Sequence, residues 1–461
     1  MRASTTLPAL LLALAACSDP GAEGSVDAPP GGAADAAITA DATPLPPDTA
    51  RIRAQTPTGL PMAGIAVVFH QADGTPIETL LTDVTGAVTR EVGVDEQATV
   101  LLQWESRQGV GPDALTFVGV EVGDDLIARA SSPRPAQLVN LPVTAQQLPA
   151  GATGVTVMAQ QTGEPGRFGA ACSANSGGTI GGLDVPLDLG ISADCGVETT
   201  SLLADVQSPA GRRYAVASNV ALGAPTSIGP TWTAGAALTA SVTGLPVREG
   251  PSLNLHGYAA MGDRQGAFPR NYLGGRSLAH NGQGNGSSSF AADFPPPSLV
   301  SRFEAHALAL VTASHIVISK RGPTATPDYN FNFDFTGLAY VTDLVALRSA
   351  EGRPSVSFTW SGTASPDAVT VTLEAGVQRW RFIAPGTTRA LTAPALPAAQ
   401  AAWALTAPLT DHVVMLYDVD VLADYDAFRR EASDWAVWVG GDQTPDPALP
   451  RDATVRRIEG F

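Results

Sequence analysis

Apolar residues alternate with polar ones along many short segments of this 461-residue chain, and this alternation constrains its fold more than any other feature. The segments 329–336, 355–360, 369–373 and 379–382 show it most clearly. Because successive side chains of a β-strand point to opposite faces of a sheet, each segment predicts a strand with one buried and one solvent-facing side. The aromatic rings at alternate positions of 329–335 fit the buried face of such a sheet.

Further strands are predicted at spacings typical of β-sandwiches, over 155–161, 213–222, 237–245, 253–260, 307–319, 412–421 and 435–439. Helices are few: one is predicted over 397–405 and a second over 425–431, which Asp424 would cap. Glycine (47) and proline (37) make up about 18% of the chain, which argues against long helices. The sequence therefore predicts an all-β fold of several consecutive antiparallel β-sandwich modules.

The charge balance limits the partners of the chain. It has 44 acidic and 27 basic residues, for a formal net charge of −17, and Lys320 is its single lysine. Proteins bind nucleic acids by neutralising phosphates with lysine and arginine. We therefore expect no nucleic-acid partner.

The first seventeen residues have the pattern of an export signal. Arg2 precedes the apolar run Leu7–Ala16, which is too short to span a hydrocarbon core of ~30 Å but matches the apolar core of a signal peptide. The run ends in Leu14-Ala15-Ala16-Cys17, which resembles the lipobox of bacterial lipoproteins. The resemblance implies a signal peptide over 1–16 and acylation (palmitate or a similar chain) of Cys17, which would attach the mature chain to a lipid bilayer. An ordinary secretory signal with a chance cysteine is the alternative.

Residues 17–50 are typical of a disordered linker. After the cysteine, the segment is rich in proline, alanine and glycine, and it has six acidic and no basic residues. Such a composition cannot offset the entropy of ordering by burial, so we expect a spacer between the bilayer and the folded part. Ser18, next to the acylated cysteine, favours the outer membrane by analogy with enteric lipoproteins, and leaves open the periplasmic or surface face.

A series of turns marks the first folded module, 51–130. Gly59-Leu60-Pro61-Met62-Ala63-Gly64 precedes a predicted strand, Asp73-Gly74 predicts a hairpin turn, and Thr82-Asp83-Val84-Thr85-Gly86 precedes another strand. The series resembles carboxypeptidase regulatory-like (prealbumin-like) domains and the bacterial immunoglobulin-like repeats of adhesins. The resemblance implies a β-sandwich that serves as a non-catalytic structural or interaction module. Residues 118–125 predict its closing hairpin.

Proline- and glycine-rich stretches divide the rest of the chain. They predict β modules over 131–250, 251–350 and 351–461, the last with a short helix. The first of these contains Cys172 and Cys195, and an even pair of cysteines in an exported chain favours a disulfide bond. Two buried free thiols are the alternative.

Four carboxylates lie close together in the sequence near the C-terminus: Asp418, Asp420, Asp424 and Asp426. Extracellular modules bind Ca²⁺ weakly through clustered carboxylates, so these residues are candidate Ca²⁺ ligands. Their spacing is not that of an EF-hand loop. A charged strand end followed by a capped helix explains the same residues, and no other cofactor is expected.

The sequence contains no G-x-S-x-G, H-E-x-x-H or P-loop motif, and no catalytic residue is assigned. We therefore expect a non-catalytic, envelope-anchored lipoprotein that acts as a binding, adhesion or structural scaffold, with the bilayer and an envelope protein or glycan as partners. One alternative is an envelope hydrolase of carbohydrate or peptide, whose paired carboxylates must converge to about 5–9.5 Å. A Ca²⁺-stabilised surface stalk is another.

Overall fold

β-Strands dominate the folded part of the chain. The computed structural model describes residues 45–56, 60–106, 109–130, 138–161, 173–179, 184–192, 199–245, 253–260, 271–277, 285–300, 302–311, 314–321, 328–363, 365–420, 422–435 and 454–460. Over these residues the chain is all-β apart from one α-helix and one 3₁₀ helix, as the alternation predicts. Neither helix is long and apolar enough to cross a membrane. The predicted signal peptide and most of the linker lie outside the described residues.

Seven strands form the N-terminal segment, and they divide between two sheets. They are β1 (Thr49–Gln55), β2 (Ala66–His70), β3 (Pro76–Leu81), β4 (Ala87–Glu91), β5 (Glu96–Ser106), β6 (Gly109–Val120) and β7 (Asp125–Arg129). Three form a small sheet in the order β4-β1-β7, and the other four lie in the order β3-β2-β5-β6 at one end of a twelve-stranded sheet. Because β1 begins at Thr49, Thr49 and Ala50 belong to this strand, although the predicted linker includes them.

The predicted turns of this segment are present. Gly74 has a φ of 82° in the hairpin between β2 and β3, and Gly86 has a φ of 75° before β4. A Cβ on Gly86 would lie 2.7 Å from the carbonyl oxygen of Ala54, so only glycine fits there. The predicted closing hairpin over 118–125 is wrong, because β7 leaves the sheet of β6 and pairs in parallel with β1.

The second segment is a two-sheet sandwich with a core of its own. Its strands are β8 (Leu138–Ala145), β9 (Gly154–Gln161), β10 (Ser173–Thr179), β11 (Val185–Ser192), β12 (Thr199–Ser208), β13 (Gly211–Ala221), β14 (Thr226–Ile228) and β15 (Thr233–Ala234). The two sheets have the orders β11-β8-β14 and β10-β9-β12-β13-β15. Leucine, valine and alanine side chains from both sheets fill the space between them, among them Leu141, Val157 and Leu202.

The remaining strands complete the large sheet and two small ones. They are β16 (Ala236–Thr243), β17 (Leu253–Ala260), β18 (Asn271–Ser277), β19 (Gly286–Phe294), β20 (Arg302–Val311), β21 (Ser314–Arg321), β22 (Tyr329–Asp334), β23 (Tyr340–Arg348), β24 (Pro354–Ser361), β25 (Ala368–Ala375), β26 (Gln378–Pro385), β27 (Ala390–Thr392), β28 (Asp411–Val419) and β29 (Thr454–Gly460). The 3₁₀ helix is Ala398–Trp403 and the α-helix, α1, is Tyr425–Trp435. The small sheets have the orders β19-β16-β22 and β23-β24-β27.

The twelve-stranded sheet joins the N-terminal segment to the C-terminal one. Its order is β18-β17-β20-β21-β29-β28-β25-β26-β6-β5-β2-β3. The junction is the parallel pair β6–β26, one of four parallel pairs among the described strands, where only antiparallel pairs were predicted. Gly111 of β6 permits the contact, since a Cβ there would lie 1.9 Å from the carbonyl oxygen of Val377. Strands of the predicted modules 51–130 and 351–461 thus share one sheet.

Each face of this sheet covers a separate core around the junction. On one face, Val67, Leu115 and Ile383 pack with residues of β1, β4, β7 and α1. On the other face, Val68, Ala114 and Phe382 pack with the two small sheets of the C-terminal half. The aromatic rings of β22 point into this second core, as the alternation predicts.

Several local predictions change in the structure. Segments 369–373 and 379–382 are buried on both faces, not on one. The reason is that other elements cover both faces of the twelve-stranded sheet at β25 and β26. The single strand predicted over 307–319 is the hairpin β20–β21. Trp435 ends α1 and does not begin a strand, and the rest of 435–439 lies outside the described residues.

Candidate functional site

Cys17, Cys172 and Cys195 lie outside the described residues. The acylation of Cys17 and the Cys172–Cys195 bond therefore stay predictions.

The first two candidate Ca²⁺ ligands lie at the end of β28, and each contacts protein groups. Asp418 forms an ion pair with Arg456, with 3.2 Å between Oδ2 and Nη1. Asp420 Oδ1 accepts a hydrogen bond from the backbone N–H of Thr454 at 2.8 Å. Both carboxylates thus hold β29 beside β28.

The other two candidate ligands belong to α1. Asp424 Oδ1 accepts the N–H of Ala427 at 2.9 Å, which confirms the predicted helix cap. Asp426 Oδ1 lies 3.3 Å from Nη2 of Arg429. Among the described residues, no three histidine, cysteine or acidic side chains are close enough together to hold a metal ion. Ca²⁺ binding stays a prediction, and nothing in this geometry adds to it.

A buried carboxylate is held between two arginines at the β6–β26 junction. The parallel register places Asp113 opposite Arg379, and the alternation of β26 puts Arg381 on the same face. Asp113 Oδ1 accepts Nε–H of Arg379 at 3.1 Å and of Arg381 at 3.0 Å. Oδ2 accepts the Nη2 groups at 2.8 Å and 2.6 Å. No side chain of the three is more than 2% exposed, so each arginine forms a buried, bidentate ion pair with Asp113.

The arginines determine the protonation state of this carboxylate. Burial alone would raise the pKa of Asp113, but the charges and hydrogen bonds of Arg379 and Arg381 outweigh it and hold the pKa below its usual value. Trp104 covers the guanidinium of Arg379 at 4.1 Å from the ring centroid. Glu374, opposite Arg379 in β25, adds a second negative charge near the pair of cations. Asp113 is therefore an ionised structural group.

Sequence reasoning missed this cluster, because the alternation of β26 places both arginines on the predicted solvent-facing side. The available signal was Asp113, a lone carboxylate within the long apolar stretch 110–120. A buried acid requires a cationic partner. The sequence does not show which of its arginines supplies it.

A chain of buried polar side chains crosses the opposite face of the same strands. His70 Nε2 lies 3.0 Å from Thr99 Oγ1, which lies 2.9 Å from Thr116 Oγ1. Thr116 also accepts the indole N–H of Trp380 at 3.0 Å. Burial lowers the pKa of His70 to about 4, with a smaller contribution from the charge of Arg353 and partial opposition from a hydrogen bond to the Gly74 backbone.

A cleft of about 680 Å³ lies next to these buried polar side chains. One wall is the β2–β3 hairpin at Gly74–Pro76, and another is the β23–β24 hairpin at Arg348–Pro354. The segments Ala393–Leu396 and Ala404–Thr406 and the side chain of Trp380 complete its lining. The cleft thus lies where the N-terminal segment meets the C-terminal one, and such interfaces between parts of a chain are common ligand sites.

No family model matches this sequence, and no curated protein matches it. Solved structures with some similarity include the Bacillus anthracis TIE protein, at 8% identity and a TM-score of 0.14 over 62% of this chain and 50% of that one. The BcpA major pilin subunit of Bacillus cereus has 9% identity and a TM-score of 0.14, over 63% of this chain and 99% of that one. The chicken CNTN1 FN1-FN3 domains have 11% identity and a TM-score of 0.14, over 58% of this chain and 88% of that one. The chain thus spans half the length of the TIE protein, and TM-scores this low carry no functional argument.

Proposed function

We propose that this chain is an envelope-anchored lipoprotein that works as a rigid, non-catalytic β scaffold for binding, adhesion or structural support. The observation that carries the proposal is the buried Asp113–Arg379–Arg381 cluster at the β6–β26 junction. It links strands 266 residues apart in the sequence into one continuous sheet. A chain with this link holds its N-terminal and C-terminal segments in a fixed arrangement, which a scaffold needs.

The chemistry of the cluster supports a structural role over an enzymatic one. A glycosidase needs a proton donor and a second carboxylate that face a substrate. The Asp113 side chain is fully buried, accepts four hydrogen bonds from arginines and has a lowered pKa. Such a group neither donates a proton at neutral pH nor reaches a substrate.

The sequence supports the proposed anchor. The apolar run before Cys17, the lipobox-like tetrad and the acidic linker together support an acylated Cys17 inserted in a bilayer of the bacterial envelope, with Ser18 favouring the outer membrane. An envelope protein or a glycan is the partner class that fits this location.

Metabolic labelling tests the anchor. Bacteria that express the full chain are grown with an alkyne analogue of palmitate, and incorporation is detected by coupling to a fluorophore. We expect label in the wild-type chain and none in Cys17→Ala. Cys172→Ala is the matched control and is expected to keep the label. An unlabelled wild type, or a labelled Cys17→Ala variant, would contradict the proposal.

Cross-linking in intact cells and incubation with isolated envelopes test the scaffold role. The full chain is cross-linked in intact cells, purified and examined for attached envelope protein or glycan, while surface proteolysis of the same cells reports which side of the membrane it faces. We expect a cross-linked partner and no release of soluble sugars or peptides from envelopes incubated with the purified chain. Catalytic release of such products would overturn the non-catalytic assignment in favour of a hydrolase.

A further inference from the structure

The cleft beside Trp380 has the size and lining of a small-molecule site. Its volume of about 680 Å³ is within the range of roughly 300–1,000 Å³ that is usual for such sites. Its walls are mostly apolar, with Pro76, Pro354, Pro394 and Leu396 among the lining side chains. Sites of this kind combine apolar walls with a few fixed polar groups that orient the ligand.

Arg348 is the polar group that distinguishes this cleft. Its Nη1 donates hydrogen bonds to the carbonyl oxygens of Gly352 and Leu405, each at 2.8 Å, and its Nη2 donates to the carbonyl oxygen of Ala407. Since a guanidinium has five N–H donors, two remain for a ligand. Neutral carbonyls therefore hold this exposed cation at the cleft wall.

Within the described part of the chain, Arg348 has no carboxylate within 4 Å. The neighbouring carboxylate, Glu351, pairs instead with Arg353, at 3.6 Å from its Nη2, and accepts a hydrogen bond from Ser349 at 2.8 Å. Arg353 in turn donates to the carbonyl oxygen of Ala393 at 3.2 Å. The three charged lining residues thus leave one positive charge uncompensated, and it belongs to Arg348.

Hydrogen bonds to backbone carbonyl oxygens fix the walls around this charge. The side-chain amide of Gln378 donates to the carbonyl oxygens of Ala402 and Ala404, at 3.2 and 3.0 Å. On the opposite side, the N–H of Ala395 donates to the carbonyl oxygen of Gly74 at 3.0 Å. A ligand therefore meets a preformed site, and little binding energy is lost to ordering it.

We infer that this cleft binds a small organic carboxylate with an apolar body. The apolar chain or ring would lie along the proline and leucine side chains, and the carboxylate would accept the two remaining N–H groups of Arg348. Glu351 on the rim opposes a second negative charge, so a monoanion fits better than a dianion. A free acid and the C-terminal residue of a peptide share this chemistry. The inference does not depend on the lipid anchor or on the scaffold role.

Calorimetric titration of the full chain tests the inference. The free-acid probe is 4-phenylbutyrate, the peptide probe is N-acetyl-Ala-Phe, and the amide of each is its uncharged control. We expect at least one acid to bind, with at least tenfold higher affinity than its amide. The acid that binds more tightly shows whether the ligand is a free acid or the C-terminal residue of a peptide. The absence of binding by both acids, or equal binding of acid and amide, would overturn the inference.

Variants test whether Arg348 is the residue that binds the carboxylate of the ligand. Arg348→Gln removes the charge and retains two N–H donors, where Arg348 uses three for the backbone carbonyls. It is expected to weaken acid binding at least tenfold without changing amide binding. The matched control is Arg389→Gln, which alters another exposed arginine held by backbone carbonyls, outside the cleft. Glu351→Gln removes the opposing charge and is expected to tighten acid binding. An equal loss of acid and amide binding in Arg348→Gln, or weaker acid binding in Glu351→Gln, would contradict the assignment.

Discussion

At the scale of single residues, arginines pair with the buried carboxylates Asp113 and Asp124 in the described part of the chain. Arg379, Arg381 and Arg429 are each at most 2% exposed, and each reaches a carboxylate. A planar guanidinium donates two parallel hydrogen bonds to a carboxylate and is more weakly hydrated than an ammonium group. Two arginines can therefore share the two oxygens of Asp113, an arrangement that a pair of lysines would not reproduce.

Asp113→Asn tests the contribution of this cluster to stability. The substitution removes the charge of the carboxylate that both buried guanidinium groups bind, so we expect the free energy of unfolding to fall by about 3–5 kcal/mol. Guanidinium chloride denaturation followed by circular dichroism measures the change. Asp343→Asn, at an exposed position of β23, is the control and should change stability by less than about 0.5 kcal/mol. Similar stabilities of the two variants would contradict the assigned role.

The lowered pKa of His70 predicts a pH dependence of stability. The pKa is about 4 in the folded chain and about 6.5 when unfolded, so between these values the unfolded state binds the proton more readily. Stability therefore rises with pH through this window, and the His70 contribution should be roughly 2 kcal/mol lower at pH 5 than at pH 7. Denaturation at both pH values measures it. His70→Gln should reduce the difference in the free energy of unfolding between the two pH values, and the control His412→Gln should keep this difference. An unchanged difference in His70→Gln would refute the prediction.

At the scale of elements, α1 shows how one helix is fixed to a sheet protein. The hydroxyl of Tyr425 donates to the carbonyl oxygen of Val118 at 2.7 Å, and Arg429 donates to the carbonyl oxygen of Gly119. Phe428 packs against Tyr417 with 5.2 Å between the ring centroids. The helix thereby covers the end of β6 and the core beneath it, next to the junction.

The cap of α1 is testable by itself. Asp424→Ala removes the side-chain acceptor of the Ala427 N–H, and we expect a loss of about 1 kcal/mol in the free energy of unfolding. Asp424→Asn retains an acceptor and should remain close to the wild type. Chemical denaturation compares the three chains. Equal destabilisation by alanine and asparagine would show that the carboxylate acts through charge and not as a cap.

At the scale of the whole molecule, two kinds of organisation coexist. The sandwich of β8–β15 encloses a core between its own two sheets. By contrast, β2, β3, β5 and β6 share their sheet with eight strands that follow residue 250. The predicted boundaries at 130, 250 and 350 remain predictions of folding units, but backbone hydrogen bonds between β6 and β26 connect segments on both sides of them.

Isolated fragments distinguish these two kinds of organisation. A fragment of residues 45–130 leaves Asp113 and the β6 edge without partners, so we expect it to give a poorly dispersed amide NMR spectrum. Addition of a fragment of residues 236–461 should restore dispersion, because it supplies β26. The comparison fragment, 131–250, contains both of its sheets and is expected to fold alone. A well-dispersed spectrum from 45–130 alone would contradict this account.

Features that depend on neighbouring residues follow from the sequence. The all-β character, the buried aromatic row of β22, the turns at Gly74 and Gly86 and the Asp424 cap all arise from side-chain alternation or from local backbone geometry. Each is encoded within about ten consecutive residues, so a sequence pattern is enough to predict it.

The tertiary structure alone decides the burial of Arg379 and Arg381, the twelve-stranded sheet and the cleft. Whether the second face of a strand meets water depends on which sheet covers it, and the partner of Asp113 is 266 residues away. The cleft combines a hairpin of the N-terminal segment with residues from 348–406. Contacts at such distances depend on how whole sheets pack, and alternation within a single strand holds no information about that packing.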